Sequence, residues 1–347
     1  MKRGLCDIIF CSLLLLILSI SKDCKAQDIH FSQFYETPLL RNPALAGLFS
    51  GDIRIAAVYR TQWQSVTTPY QTGSLDGEFK LPVGKANDFI TLGGEMFYDE
   101  AGSISLKATD ILPALNYHKS LSDNRNMYLS LGFMAGIDQR SFDASKITTG
   151  NQYIQGLGYV GGSTGEQISK SSYSYFDGST GLSFNTQLGN KSPNDNMYIG
   201  IAYFHFNQAT NTSFYGSTSI QIIPKWVFSG GARMSTSDNS FITFEGDYSK
   251  QGSYTETILG GLYTLRLENS DDAKYLLDFG AFLRVNDAII PVVKIEMKPL
   301  AISLSYDANV STLTSASNGV GGFELGLVYQ TYYQNNSSRD AVRCPRF

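Results

Sequence analysis

Residues 127–137 read Met127-Tyr128-Leu129-Ser130-Leu131-Gly132-Phe133-Met134-Ala135-Gly136-Ile137. The odd positions Leu129, Leu131, Phe133, Ala135 and Ile137 are apolar, while Ser130, Gly132, Gly136 and the following Asp138 are small or polar. Successive side chains of an extended chain point to opposite faces, so this stretch has one greasy face and one wet one. The same alternation returns in Tyr275, Leu277, Phe279, Ala281 and Leu283 against Asp278, Gly280 and Arg284. Leu300–Tyr306 and Phe323–Tyr329 repeat it. A soluble sandwich would alternate too. Length separates the two: many of these runs reach about 10 residues, which spans a bilayer when tilted, whereas sandwich strands average about 5–6.

Working outward, the pattern predicts an all-β fold, a transmembrane antiparallel up-and-down β-barrel. Its fourteen strands fall near 52–63, 70–80, 88–99, 104–119, 127–140, 172–188, 196–208, 221–234, 240–250, 253–267, 274–285, 288–298, 299–309 and 319–334. Pro113, Pro224 and Pro291 fall inside these runs, where a missing N–H is a liability. Short polar turns precede an aromatic residue at Phe89, Tyr128, Tyr198, Phe241 and Tyr275, which reads as an interfacial rim. With both termini periplasmic, parity puts that rim in the periplasm. The Gly/Ser/Thr-rich connection 141–171 and those at 209–220 and 310–318 then lie outside.

Ahead of the barrel, Lys2-Arg3 is followed by the apolar run Leu13–Leu18 and by Ala26, the pattern of a signal peptide cleaved after residue 26. The run is too short for an anchoring helix of about 20 residues. The expected organisation is a signal peptide (1–26), an N-terminal periplasmic or lumenal segment (27–51), a barrel (52–334) and a C-terminal periplasmic tail (335–347). Cleavage would remove Cys6, Cys11 and Cys24 and leave Cys344, so no internal disulfide is expected. Charged residues make up 17 % of the 347, against roughly 25 % in soluble domains, and the net charge is −4. That balance excludes a basic nucleic-acid binder.

The residues offer little to an enzyme. His30, His118 and His205 are scattered without metal-ligand spacing, no Gly-x-Ser-x-Gly elbow occurs, and Gly158–Gly162 lacks the context of a phosphate loop. No cofactor or metal is expected. The wet faces carry Arg54, Arg60, Lys225, Arg233, Glu245, Asp247, Glu256, Arg266, Asp278, Arg284, Lys294, Glu296 and Glu324. Such charges either pair across the lumen and hold it shut, because isolated charge there is costly, or line a polar conduit.

Gln33-Phe34-Tyr35, Pro38, Asn42-Pro43-Ala44-Leu45-Ala46-Gly47, Tyr59-Arg60-Thr61-Gln62-Trp63 and the ending Arg343-Cys344-Pro345-Arg346-Phe347 together resemble the PorP/SprF family of outer-membrane proteins. Glu36-Thr37-Pro38 departs from the Asn-Pro pair expected there. The resemblance implies a non-enzymatic outer-membrane component of type IX secretion and gliding. Its implied partners are outer-membrane lipid, periplasmic ring and lipoprotein components, and a secreted adhesin carrying a C-terminal sorting domain. The candidate partner-binding residues are Asn42, Pro43, Arg60, Trp63, Arg343, Cys344, Arg346 and Phe347. The alternative is a porin or small-molecule transporter.

Overall fold

The computed structural model describes residues 28–332, except 65–67, 85–86, 123–124, 190–194, 211, 216–219, 269–272 and 312–319. Fourteen strands close into one antiparallel barrel. They are β1 (Ile53–Gln62), β2 (Tyr70–Pro82), β3 (Phe89–Ala101), β4 (Leu106–Ser120), β5 (Met127–Ser141), β6 (Ser172–Gln187) and β7 (Asn196–Phe204), then β8 (Lys225–Ser237), β9 (Ser240–Gln251), β10 (Tyr254–Arg266), β11 (Tyr275–Arg284), β12 (Ala288–Met297), β13 (Leu300–Asn309) and β14 (Val320–Thr331). Each pairs with its neighbour in sequence, and β1 closes on β14 with Ile53 opposite Thr331 and Thr61 opposite Phe323. Closure leaves no sheet edge, as a hydrocarbon surrounding demands.

The alternation has the expected sense. Leu129 and Leu131 are 39 % and 46 % exposed on the outer wall, and Ser130 between them is fully buried. Outward-facing Tyr117, Tyr275 and Tyr329 lie toward one end, and Tyr70, Tyr98, Trp226 and Tyr248 toward the other. Two aromatic belts around an apolar band suit the two interfaces of a membrane. The prolines cost rungs rather than strands. The β4–β5 ladder runs from Ile111 opposite Ile137 to Ala114 opposite Met134 around Pro113, and β12–β13 steps past Pro291 in the same way, neither with a change of register. Pro224 stands just before β8. There the expected strands 196–208 and 221–234 are shortened, because His205 and Gln208 turn the chain out of the sheet at φ +58° and +46°.

The polar-turn aromatics require a correction. They do cluster at one end of the barrel, but Phe89, Tyr128, Tyr198 and Phe241 are buried inward, and Tyr275 alone of the five faces out. A lumen ringed by fourteen strands is too wide for wall side chains to fill. Here these rings floor it: Phe89 stacks on His118 at 3.9 Å and meets Tyr128 edge-on at 5.5 Å.

The remaining space is taken by residues 28–51. Asp28 sits at the end of the long connections, bonded to His205 and Gln251. The chain then descends past Glu324, crosses to β9 and the β5–β7 wall, and returns so that Asp52 donates to the Thr331 carbonyl at the opposite end (2.9 Å). The two ends of the described chain therefore lie at opposite mouths. Residues 28–51 thus run through the lumen from one mouth to the other. The tail and the signal segment lie outside the described residues.

Candidate functional site

The lumen plug is the site where this sequence concentrates its polar chemistry. Its local shape follows from two prolines and an asparagine. Pro38 starts a single α-helical turn, Pro38–Arg41, and Pro43 starts the short 3₁₀ turn Pro43–Leu45. At those first positions a missing N–H costs nothing. Asn42 caps the second turn: its Oδ1 accepts from Ala44 N at 2.8 Å, and its Nδ2 donates to the wall carbonyls of Leu182 (3.2 Å) and Ile201 (3.3 Å). The wall yields room through glycine. A Cβ at Gly132 would lie 2.4 Å from the Pro43 carbonyl carbon, and one at Gly181 would lie 1.8 Å from Asn42 Oδ1.

Ion pairs fasten the plug on several sides. Arg41 places Nε and Nη2 on Asp247 at 2.7 Å each and Nη1 on Glu245 at 2.8 Å, while Nη2 also donates to the Tyr198 hydroxyl. Glu36 answers Lys294 (2.7 Å) and Arg54 (3.3 Å), and Arg54 also holds Asp76 and Glu78. The backbone N–H groups of Ser32 and Gln33 donate to the two oxygens of the Glu324 carboxylate at 2.6 and 2.8 Å. Arg60 joins Asp307 and Glu324 and donates to the His30 carbonyl. Much of the interleaved wall charge is thus neutralised through the plug, not directly across the lumen. Multiple hydrogen bonds to each buried charge are what makes such burial tolerable.

At the upper mouth, His205 bridges Asp177 (2.8 Å) and Asp28 (2.9 Å), and Lys225 reaches Asp28 at 2.7 Å. Burial alone disfavours a charged ring at His205, but the carboxylates of Asp28 and Asp177 override it and push its pKa up to about 10. The same contacts, from Lys225 and His205, hold Asp28 well below the usual carboxylate range against its own burial. His118 packs under Phe89 and bonds Ser130 (2.7 Å) and Thr91 (3.1 Å). Among the described residues no three His, Cys, Asp or Glu groups converge as metal ligands.

Of the residues expected to bind partners, Asn42 and Pro43 are buried in the plug and Arg60 is buried in the wall, all held by this chain's own groups. Trp63 follows β1 at φ +61° and borders a cavity of about 460 Å³ with His30 and Arg60. Arg343, Cys344, Arg346 and Phe347 lie outside the described residues. The sequence reading placed Asp307 on the inner face of its strand and missed Glu36, Arg41, Asp76 and Glu78 as lumen groups. Asp76 and Glu78 were readable from strand parity, since both lie on the face opposite outward-facing Leu75.

The family model for the type IX secretion system membrane protein PorP/SprF matches residues 23–329. No curated protein matches the chain. Among solved structures, it is similar to the CymD monoaromatic hydrocarbon channel at 12 % identity, over 86 % of this chain and 93 % of that one, with a TM-score of 0.47. The P. putida toluene transporter TodX is similar at 8 % identity, over 86 % and 95 %, with a TM-score of 0.45. The translocator domain of the autotransporter NalP from Neisseria meningitidis is similar at 11 % identity, over 86 % and 95 %, with a TM-score of 0.40. With a family match over most of its length and a closed membrane-type barrel, the chain belongs to the PorP/SprF family of type IX secretion system membrane proteins.

Proposed function

We propose that this barrel is a closed, non-enzymatic docking component of the type IX secretion and gliding machinery in the outer membrane. In this reading the short-turn mouth faces the periplasm and engages ring and lipoprotein components, together with the tail that carries Arg343, Cys344, Arg346 and Phe347. The connections 142–171 and 205–224 face outward and help to secrete or anchor an adhesin through its C-terminal sorting domain. The observation that carries the reading is the plug: residues 28–51 cross the lumen from mouth to mouth and are tied to β1, β9, β12 and β14 by buried charge. A porin would need that path free.

Planar-bilayer recording of the purified full chain tests this. A silent membrane is expected, and a variant lacking residues 28–47 should conduct. Steady current through the intact chain would overturn the docking reading in favour of a porin. Affinity purification from native membranes should recover periplasmic machinery or an adhesin, and should lose it when residues 343–347 are removed. Unchanged recovery would take the tail out of the docking surface.

A further inference from the structure

Above the plug, on the β3–β9 side, lies a cavity of about 520 Å³ bordered by Asp28 and Leu40 of the plug. That volume is within the usual range for a small-ligand site, about 300–1,000 Å³. Its floor is apolar, formed by Leu40, Leu112, Met134 and Phe204. Its wall carries Asp110, Asp138 and Asp177, with the rings of Tyr173 and Tyr175 stacked at 6.2 Å beside them.

The cations around it are committed elsewhere. Arg140 lies on Asp110 through both Nη atoms, Lys225 reaches Asp28, and His205 lies between Asp28 and Asp177. Asp138 is 2 % exposed and makes no ion pair among the described residues; Tyr175 bonds its carboxylate, but among the described residues its Oδ1 has no hydrogen-bond partner, nor has Oδ1 of Asp177. Buried carboxylate oxygens left without a donor are expensive, and a cavity beside them is where a donor fits. An ammonium or guanidinium group brings the missing positive charge and N–H donors. An apolar floor suits the carbon stem that carries it.

We propose that this vestibule binds a primary ammonium or guanidinium group on an apolar stem, with Asp138 as its counter-ion. The group comes either from a lysine or arginine side chain of a polypeptide laid across the mouth or from a free organic amine. The site does not depend on which mouth faces the cell surface.

Calorimetric titration of the full chain in neutral detergent tests this, with benzylamine, N-acetyl-lysinamide and the peptide Gly-Lys-Gly as probes and benzyl alcohol as the uncharged counterpart. Saturable one-to-one binding of a cationic probe is expected, at least about tenfold weaker in Asp138→Asn and unchanged in Asp278→Asn, whose carboxylate does not border the cavity. Binding of benzylamine would assign a free amine, and binding of the lysine probes alone would assign a polypeptide side chain. The proposal is overturned if no cationic probe binds at millimolar concentration, if benzyl alcohol binds as well, or if Asp138→Asn binds like the parent. Heat-modifiable migration of each variant checks that the barrel has folded.

Discussion

Arg41 holds two wall carboxylates from within the plug. It is 6 % exposed and is bonded to both Glu245 and Asp247, so Arg41→Ala leaves two carboxylates facing each other without their cation. Removing one partner from such a buried set costs about 3–5 kcal/mol, and Arg41→Lys should fall between, since an ammonium cannot reproduce the fork. Urea midpoints of the detergent-folded barrel check this; a wild-type midpoint for Arg41→Ala would mean that the plug adds nothing to stability. His205 supplies a pH prediction. Its pKa rises from 6.5 unfolded to about 10 folded, so its contribution is complete below pH 6.5 and is lost as pH climbs through about 10. Unfolding free energy should drop by on the order of 1–3 kcal/mol between pH 7 and 10, and His205→Gln should flatten that part of the slope. Arg41 itself was not legible as a lumen anchor: it lies in a Pro-punctuated stretch without strand periodicity, where nothing local tells which wall a side chain will meet.

At the scale of strands, the two faces of β5 should respond differently. Leu131→Arg puts charge against hydrocarbon and should cost about 2–4 kcal/mol. Ser130→Ala on the inner face loses its hydrogen bond to His118 and should cost about 1 kcal/mol. Equal costs in equilibrium unfolding would contradict the assigned faces. The wall glycines divide in a similar way. Gly181→Ala drives a Cβ into Asn42 and should destabilise by about 1–3 kcal/mol, whereas Gly77→Ala meets nothing within 4 Å and should be near neutral. Strand number, pairing order and the sense of alternation were legible because period two and turn chemistry are local. The direction of the turn aromatics was available as well. Tyr128 sits one residue from outward Leu129, so parity turns it inward, and its position after a polar turn, which suggests an interface, gives the wrong answer. The ends of β7 and β8 were not available, since a positive φ at a histidine leaves no mark in the sequence.

At the scale of the molecule, the orientation of the barrel in the membrane is the property to test. In a Cys344→Ser background, Ser163→Cys in the long connection should react with an impermeant maleimide on intact cells, and Asn239→Cys in the β8–β9 turn should react only after permeabilisation. The reverse pattern would invert the proposed topology. What no local reading supplied was the path of residues 28–51, because its partners lie far off in sequence: Ser32 and Gln33 bond Glu324 across separations of 292 and 291 residues. That separation bears on the order of assembly. The Glu324 carboxylate is on the strand synthesised last and the plug precedes the strand synthesised first, so neither is satisfied until almost the whole chain exists. The β1–β14 seam can close only once both of its strands exist, around a lumen that residues 28–51 occupy. Closing a loop this long before any contact rewards it makes for slow maturation, on the ms–s scale or beyond for sheet proteins of high contact order. During that interval the unzipped edges of β1 and β14 are the surfaces that a folding assistant would have to guard.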